Sequence, residues 1–204
     1  MSLKDWIIPL FTVLVVILQS LFSLVSKWID VSQKKDDHRQ ELRKIYFQRK
    51  LEVGEAVIGR WVLLMRHMRA VRDFYATYRV DKEEMDSAST EAFAKHNQFD
   101  REQLDGIFAS EKNPFLTYFD EGILTDAQVK IADEYNANKL KIRGLIRKRI
   151  RIDYLDPNEE DPLVLVSGVS KEYSEALKAL VASHDKYVRV LKEACAAIRK
   201  ELNP

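Results

Sequence analysis

The chain has 204 residues, 46% of them hydrophobic and 32% charged, with 33 Lys and Arg against 32 Asp and Glu for a formal net charge of +1. Charge is abundant but mixed, so net electrostatics single out no partner. The lone cysteine, Cys195, excludes an intrachain disulfide, and six glycines and five prolines suit long helices rather than a sandwich or a doubly wound sheet, so the composition predicts an all-α fold.

The first element is Trp6 to Ser26, which holds no charged residue and lies between Asp5 and Lys27. As a helix it would extend about 32 Å, close to the ~30 Å of bilayer hydrocarbon. Pro9 falls in the first turn, and Trp6 and Trp28 bracket the stretch like interfacial indoles. The expected membrane-anchor residues are Trp6, Phe11, Leu14, Leu18, Phe22 and Trp28. A cleaved signal peptide fits less well, because the apolar region is too long and no Ala-x-Ala site follows it. Lys27, Lys34, Lys35, Arg39, Arg43 and Lys44 follow the segment, whereas only Lys4 precedes it. This asymmetry predicts a single-pass signal-anchor, with a short N-terminus outside and the body cytoplasmic. Residues 1–29 are thus read as a transmembrane helix and 30–204 as a cytoplasmic helical bundle with long, coiled-coil-like helices.

Residues 30–79 read as one long helix. Phe47, Leu51, Gly54, Ile58, Trp61, Met65 and Met68 recur at spacings of four and three, and Val57, Trp61, Leu64, Met68, Val71, Tyr75 and Tyr78 form an adjoining line. Two such lines make a wide apolar stripe suited to a bundle core. Residues 81–90 read as a loop or weak helix, and short helices are expected within 88–121. Asp100-Arg101-Glu102-Gln103 has the form of a helix start, and Asn113-Pro114 that of a second, closed by Gly122. The aromatic group Phe115, Leu116, Tyr118 and Phe119 is read as a small helix covering a core edge, with a partner surface as the alternative.

Thr125 to Gln128 resembles a capping box opening a basic helix over 125–151. In it Lys139, Arg143, Arg147 and Arg151 recur every fourth residue beside Lys148, a candidate contact for an anionic surface; the plainer reading is a solvated face with cations near the helix C-terminus. The acidic, proline-bounded segment 156–162 reads as a linker, and Leu163 to Val166 as briefly extended. From Ser170 the last helix, 170–202, carries a heptad line of Tyr173, Leu177, Leu180, His184, Tyr187, Leu191, Ala194 and Ile198, the candidate packing seam. His184 on that seam is read as a core histidine, with a proton-sensitive switch as the sharper alternative.

No motif for catalysis, cofactor or metal emerges. His38, His67, His96 and His184 show no Glu-x-x-His or His-x-x-x-His spacing, and the chain has neither a Walker loop nor a Gly-x-Ser-x-Gly elbow. The expectation is therefore no enzyme, no cofactor and no metal. Three functional readings follow. The first is a membrane-anchored scaffold, sensor or adaptor acting through a protein partner or as a homo-oligomer. The second is a membrane-perturbing effector whose anchor oligomerises when the body is triggered. The third is a binder of anionic lipid or nucleic acid through 139–151, nucleic acid being the weaker option because no groove-reading motif accompanies the charge.

Overall fold

A computed structural model describes residues 4–82, 85–108, 115–119, 123, 126–153 and 161–203, with the backbone alone for 4–20, 116 and 126–128. Helices α1 (Lys4–Thr77), α2 (Ser87–Phe108), α3 (Phe115–Tyr118), α4 (Asp126–Ile152) and α5 (Pro162–Leu202) follow in chain order. Two units divide the chain, Met1–Arg49 and Lys50–Pro204.

The second unit is a four-helix bundle made of the C-terminal part of α1 with α2, α4 and α5, and the short α3 closes one flank. Its main core gathers Leu64, Met68, Val71 and Tyr75 of α1, Ile142 and Ile146 of α4, and Tyr173, Leu180 and Leu191 of α5. These residues lie on the three-and-four lines that one helical face requires. A smaller core joins Val57 of α1, Phe115 and Phe119, and Ala194, Ile198 and Leu202 of α5. Phe115 and Phe119 stack at 5.1 Å between ring centroids and are buried, so these two rings cover a core edge and are not a free surface. Gly54 makes this packing possible. A Cβ there would lie 2.8 Å from Leu202 Cδ1 and 2.9 Å from Phe119 Cζ.

Polar contacts fix the helix ends. Tyr173 Oη donates to the Tyr75 carbonyl at 2.7 Å, one of the carbonyls left without an intrahelical partner in the last turn of α1. Arg149 of α4 is fully buried: Nε donates to the Val80 carbonyl at 3.1 Å and Nη2 to the Lys82 carbonyl at 2.6 Å, while Nη1 meets Asp153 at 2.6 Å. It thereby clamps the α1–α2 connection to α4. At the other end of the bundle Lys50 pairs with Glu201 at 2.8 Å.

Several boundaries differ from the expectation. Asp100 does not start a helix but lies deep inside α2; the start is at Ser87, where Asp86 Oδ1 accepts from Ser89 N at 2.8 Å. Helix α5 starts at Pro162, so Leu163 to Val166 are helical and not extended. Asp161 caps it, its side chain accepting from Leu163 N at 2.9 Å, and the proline occupies the first turn, where its missing N–H costs nothing. The capping residues Asn113, Pro114, Gly122 and Thr125, the side chain of Gln128, and the linker residues 156–160 lie outside the described residues.

The membrane span is corrected. Among the described residues no helix is long and apolar enough to cross a membrane. From Leu21 onward the described side chains show the uncharged run ending at Ser26, after which charges recur through Lys27, Asp30, Lys34 and Lys35. Exposed apolar side chains nevertheless continue far beyond it, through Val31, Leu42, Ile45 and Phe47, interleaved with those charges. This is a stripe on an amphipathic helix, whereas lipid would require a belt apolar on all sides. The single-pass topology, the orientation, the cytoplasmic assignment, the membrane-lipid partner, the membrane-anchored scaffold and the membrane-perturbing effector fall with it. Of the expected anchor side chains, Phe22 and Trp28 are exposed, at 79% and 74%, and those of Trp6, Phe11, Leu14 and Leu18 lie outside the described residues.

Candidate functional site

Two features of the described residues exceed what packing requires. The first is a buried ionic cluster around Asp100. Helix α2 places His96 and Asp100 one turn apart on its inner face, and α4 does the same with Lys139 and Arg143. Asp100 is 2% exposed. Its Oδ1 lies 2.7 Å from His67 Nε2, its Oδ2 accepts from Lys139 Nζ at 3.1 Å, and Arg143 Nη2 also donates to Oδ2. Arg143 Nε donates to Tyr75 Oη at 3.0 Å, which ties α1 into the same network.

Electrostatics follow from this geometry. Burial alone would raise the Asp100 pKa, but the hydrogen bond from His67 and the charges of Lys139 and Arg143 outweigh it and hold the carboxyl well below the usual carboxylate range. Burial pulls the Lys139 pKa down, and Asp100 works against that shift. Burial also lowers His96 to about 4, so this imidazole is neutral at pH 7. It stacks flat on Phe74 at 3.7 Å between centroids. A cavity of about 330 Å³ opens beside the cluster between α2 and α4, reached by Asp100, Lys139 and Arg143 together with Arg101 and Arg147. A smaller one of about 160 Å³ also reaches Lys139 and is lined by His67, Tyr135 and Tyr187.

The second feature is the exposed face of α1 within the first unit. Leu21, Leu24, Trp28, Val31, Leu42 and Ile45 are all exposed and fall on one heptad line whose two middle positions are Lys35 and His38.

The geometry divides the basic line of α4. Lys139 is buried and Arg143 half-buried, both spent on Asp100, while Arg147, Lys148 and Arg151 are exposed. A four-residue step overshoots one turn by about 40°, so the line winds by about 120° from Lys139 to Arg151 and passes from core to solvent. The four residues Lys139, Arg143, Arg147 and Arg151 therefore form no continuous exposed line. The residues proposed for the α5 seam all turn inward: Tyr173, Leu180, His184, Leu191 and Ile198 are buried, and Leu177 and Tyr187 pack against the core partly buried. His184 Nδ1 pairs with Asp185 at 2.9 Å, and its Nε2 is buried without a hydrogen-bond partner among the described residues.

Sequence reasoning missed His67, His96 and Asp100 as a group. The available signal was the placement of Lys139 and Arg143 on the same face as Tyr135, Ile142 and Ile146, since cations on an apolar line call for a buried counter-charge. No group of His, Cys, Asp and Glu that would hold a metal ion occurs among the described residues. No family model, curated protein or solved structure matches the chain.

Proposed function

We propose that the protein is a non-enzymatic interaction protein that pairs with a second copy of itself, antiparallel, through residues 21–45 of α1. The observation that carries this reading is the exposed heptad line. Leu42 and Ile45 are each 52% exposed and Trp28 74%, with apolar neighbours at spacings of three and four. Such a line cannot be covered by its own helix, and a matching helix covers it at little geometric cost.

Charge decides the orientation. A parallel, in-register pair would set Lys35 against Lys35 and Lys34 against Arg39. An antiparallel pair centred between Asp36 and Asp37 instead sets Lys35 against His38 and Lys34 against Glu41, and it still matches Trp28 with Ile45 and Val31 with Leu42. The polar Lys35–His38 layer then fixes the register, because a heptad slip would bury both residues against apolar side chains. Two observations support the non-catalytic part of the reading. Asp100 is held as a carboxylate by three donors and is a weak base, and burial raises the pKa of the Cys195 thiol.

Sedimentation equilibrium of the full chain tests this. A dimer is expected, and Leu42→Asp with Ile45→Asp, which removes apolar contacts from four layers of the symmetric pair, should weaken it roughly a hundredfold or more while leaving thermal unfolding of the bundle unchanged. Lys34→Glu should also weaken it, and adding Glu41→Lys should restore it. A monomeric wild type, or a dimer indifferent to the double Asp variant, would overturn the proposal. A tighter dimer with Lys34→Glu alone would reject the antiparallel register.

A further inference from the structure

We infer that the cavity between α2 and α4 is a binding site for a compact organic oxyanion, a small molecule bearing a carboxylate or phosphate head. The inference stands apart from the pairing of α1, since every residue it uses lies in the bundle. It starts from a charge imbalance. Four cations, Arg101, Lys139, Arg143 and Arg147, reach this cavity of about 330 Å³, and Asp100 is the one carboxylate among its lining residues. Asp100 cannot neutralise them all. It accepts from Lys139 and Arg143 and is also engaged by His67, whereas Arg101 and Arg147 make no ion pair or hydrogen bond among the described residues.

The cluster also prepares its donors. Asp100 holds the Lys139 ammonium and the Arg143 guanidinium in place, and Tyr75 Oη accepts from Arg143 Nε at 3.0 Å, which fixes the guanidinium plane. Arg143 Nη1 has no partner among the described residues, which leaves a planar donor suited to an oxyanion. Asn97 faces the same cavity with Oδ1 buried and unpartnered among the described residues, and its amide, when turned, presents N–H to an anion. A bound anion would add to the counter-charge that Asp100 supplies to Lys139 and further offset its desolvation.

Depth and lining set the class of ligand. The Lys139 and Arg143 side chains are only 8% and 19% exposed, so an extended polyanion on the surface would meet Arg101 and Arg147 but not the inner pair. Leu104 and Leu140 form the apolar part of the wall, which fits a short hydrocarbon body behind the charged head.

Titration calorimetry on the full chain at constant ionic strength tests the site, with inorganic phosphate and succinate as separate probes. Saturable binding of at least one probe is expected, and the stronger of the two identifies the head group. The variants that decide the matter are Arg101→Ala and Arg147→Ala, since both side chains are exposed and neither supports the core. Together they should weaken binding at least tenfold while the thermal midpoint without ligand stays at the wild-type value. Absence of saturable binding by both probes would overturn the inference, as would equal affinity in wild type and double variant.

Discussion

Asp100→Asn is the most direct probe of the bundle's charge organisation. The substitution keeps the shape of the side chain and one acceptor oxygen but removes the negative charge. In the wild type that charge answers His67 at 2.7 Å, Lys139 at 3.1 Å and Arg143, with the Lys139 side chain 8% exposed. Asparagine leaves an ammonium and a guanidinium facing each other with no counter-charge in their shell. Removing one member of a buried ionic group costs about 3–5 kcal/mol, because the remaining charge keeps its desolvation penalty. For a chain of this size each kcal/mol moves the thermal midpoint by roughly 2–4 °C, so a fall of about 6–20 °C is expected. Thermal unfolding followed by circular dichroism measures the midpoint, and urea unfolding the free energy. Adding Lys139→Met to Asp100→Asn removes the stranded ammonium, so the double variant should be more stable than Asp100→Asn alone by at least about 1 kcal/mol. A loss below about 1 kcal/mol for Asp100→Asn, or strictly additive effects in the double variant, would show that solvent already screens the cluster and that the buried-network argument is wrong.

Acid should destabilise the bundle through His96 before it reaches Asp100. The folded-state pKa of His96 is depressed to about 4, against about 6.5 when unfolded, so the stability it contributes is present above pH 6.5 and is lost as pH falls through 4, up to about 3 kcal/mol; His96→Phe, which preserves the stack on Phe74, should flatten urea stability between pH 4.5 and 6.5. Glycine substitutions should split by site. Gly54→Ala forces a Cβ into Leu202 and Phe119 and should cost about 1 kcal/mol net, whereas Gly144→Ala, with nothing within 4 Å, should gain roughly 0.5–1 kcal/mol in the same unfolding assay.

What the sequence displayed depended on how a signal is encoded. The long helices are legible because burial repeats along them: the α5 seam from Tyr173 to Ile198 and the α1 line from Val57 to Tyr75 both turn inward as the three-and-four spacing requires. Starts and stops are encoded by single residues whose meaning depends on context. Asp161-Pro162 belongs to an acidic, proline-bounded segment and resembles a linker, yet the aspartate caps α5 and the proline opens it. Asp100 resembles a cap because Gln103 follows at the right distance, but Phe93 and His96 are buried on the turns before it and carry the helix straight through. The apolar N-terminal segment misled for a different reason. Its length and hydrophobicity are read over Trp6 to Ser26, whereas among the described residues no helix is long and apolar enough to cross a membrane.

The cluster itself was illegible because its members come from three helices. His67, Asp100 and the pair Lys139 and Arg143 are separated by more than thirty residues at each step, and no local spacing records a pairing that exists only after the helices pack. A further physical point bears on why such a cluster matters. An apolar side chain of similar volume at each position would pack at least as stably, since desolvation consumes most of what the ion pairs return. Net stability is therefore a poor account of the arrangement. Directional donors are a better one. Because Asp100 accepts from α4 while His67 engages it from α1, a slip of α2 by one turn would strand three polar groups in the core, which penalises every alternative register. The same geometry that excludes the slip holds Lys139 and Arg143 at the edge of the cavity with donors to spare. Fixing the register and presenting cationic donors to the cavity are thus two consequences of one carboxylate.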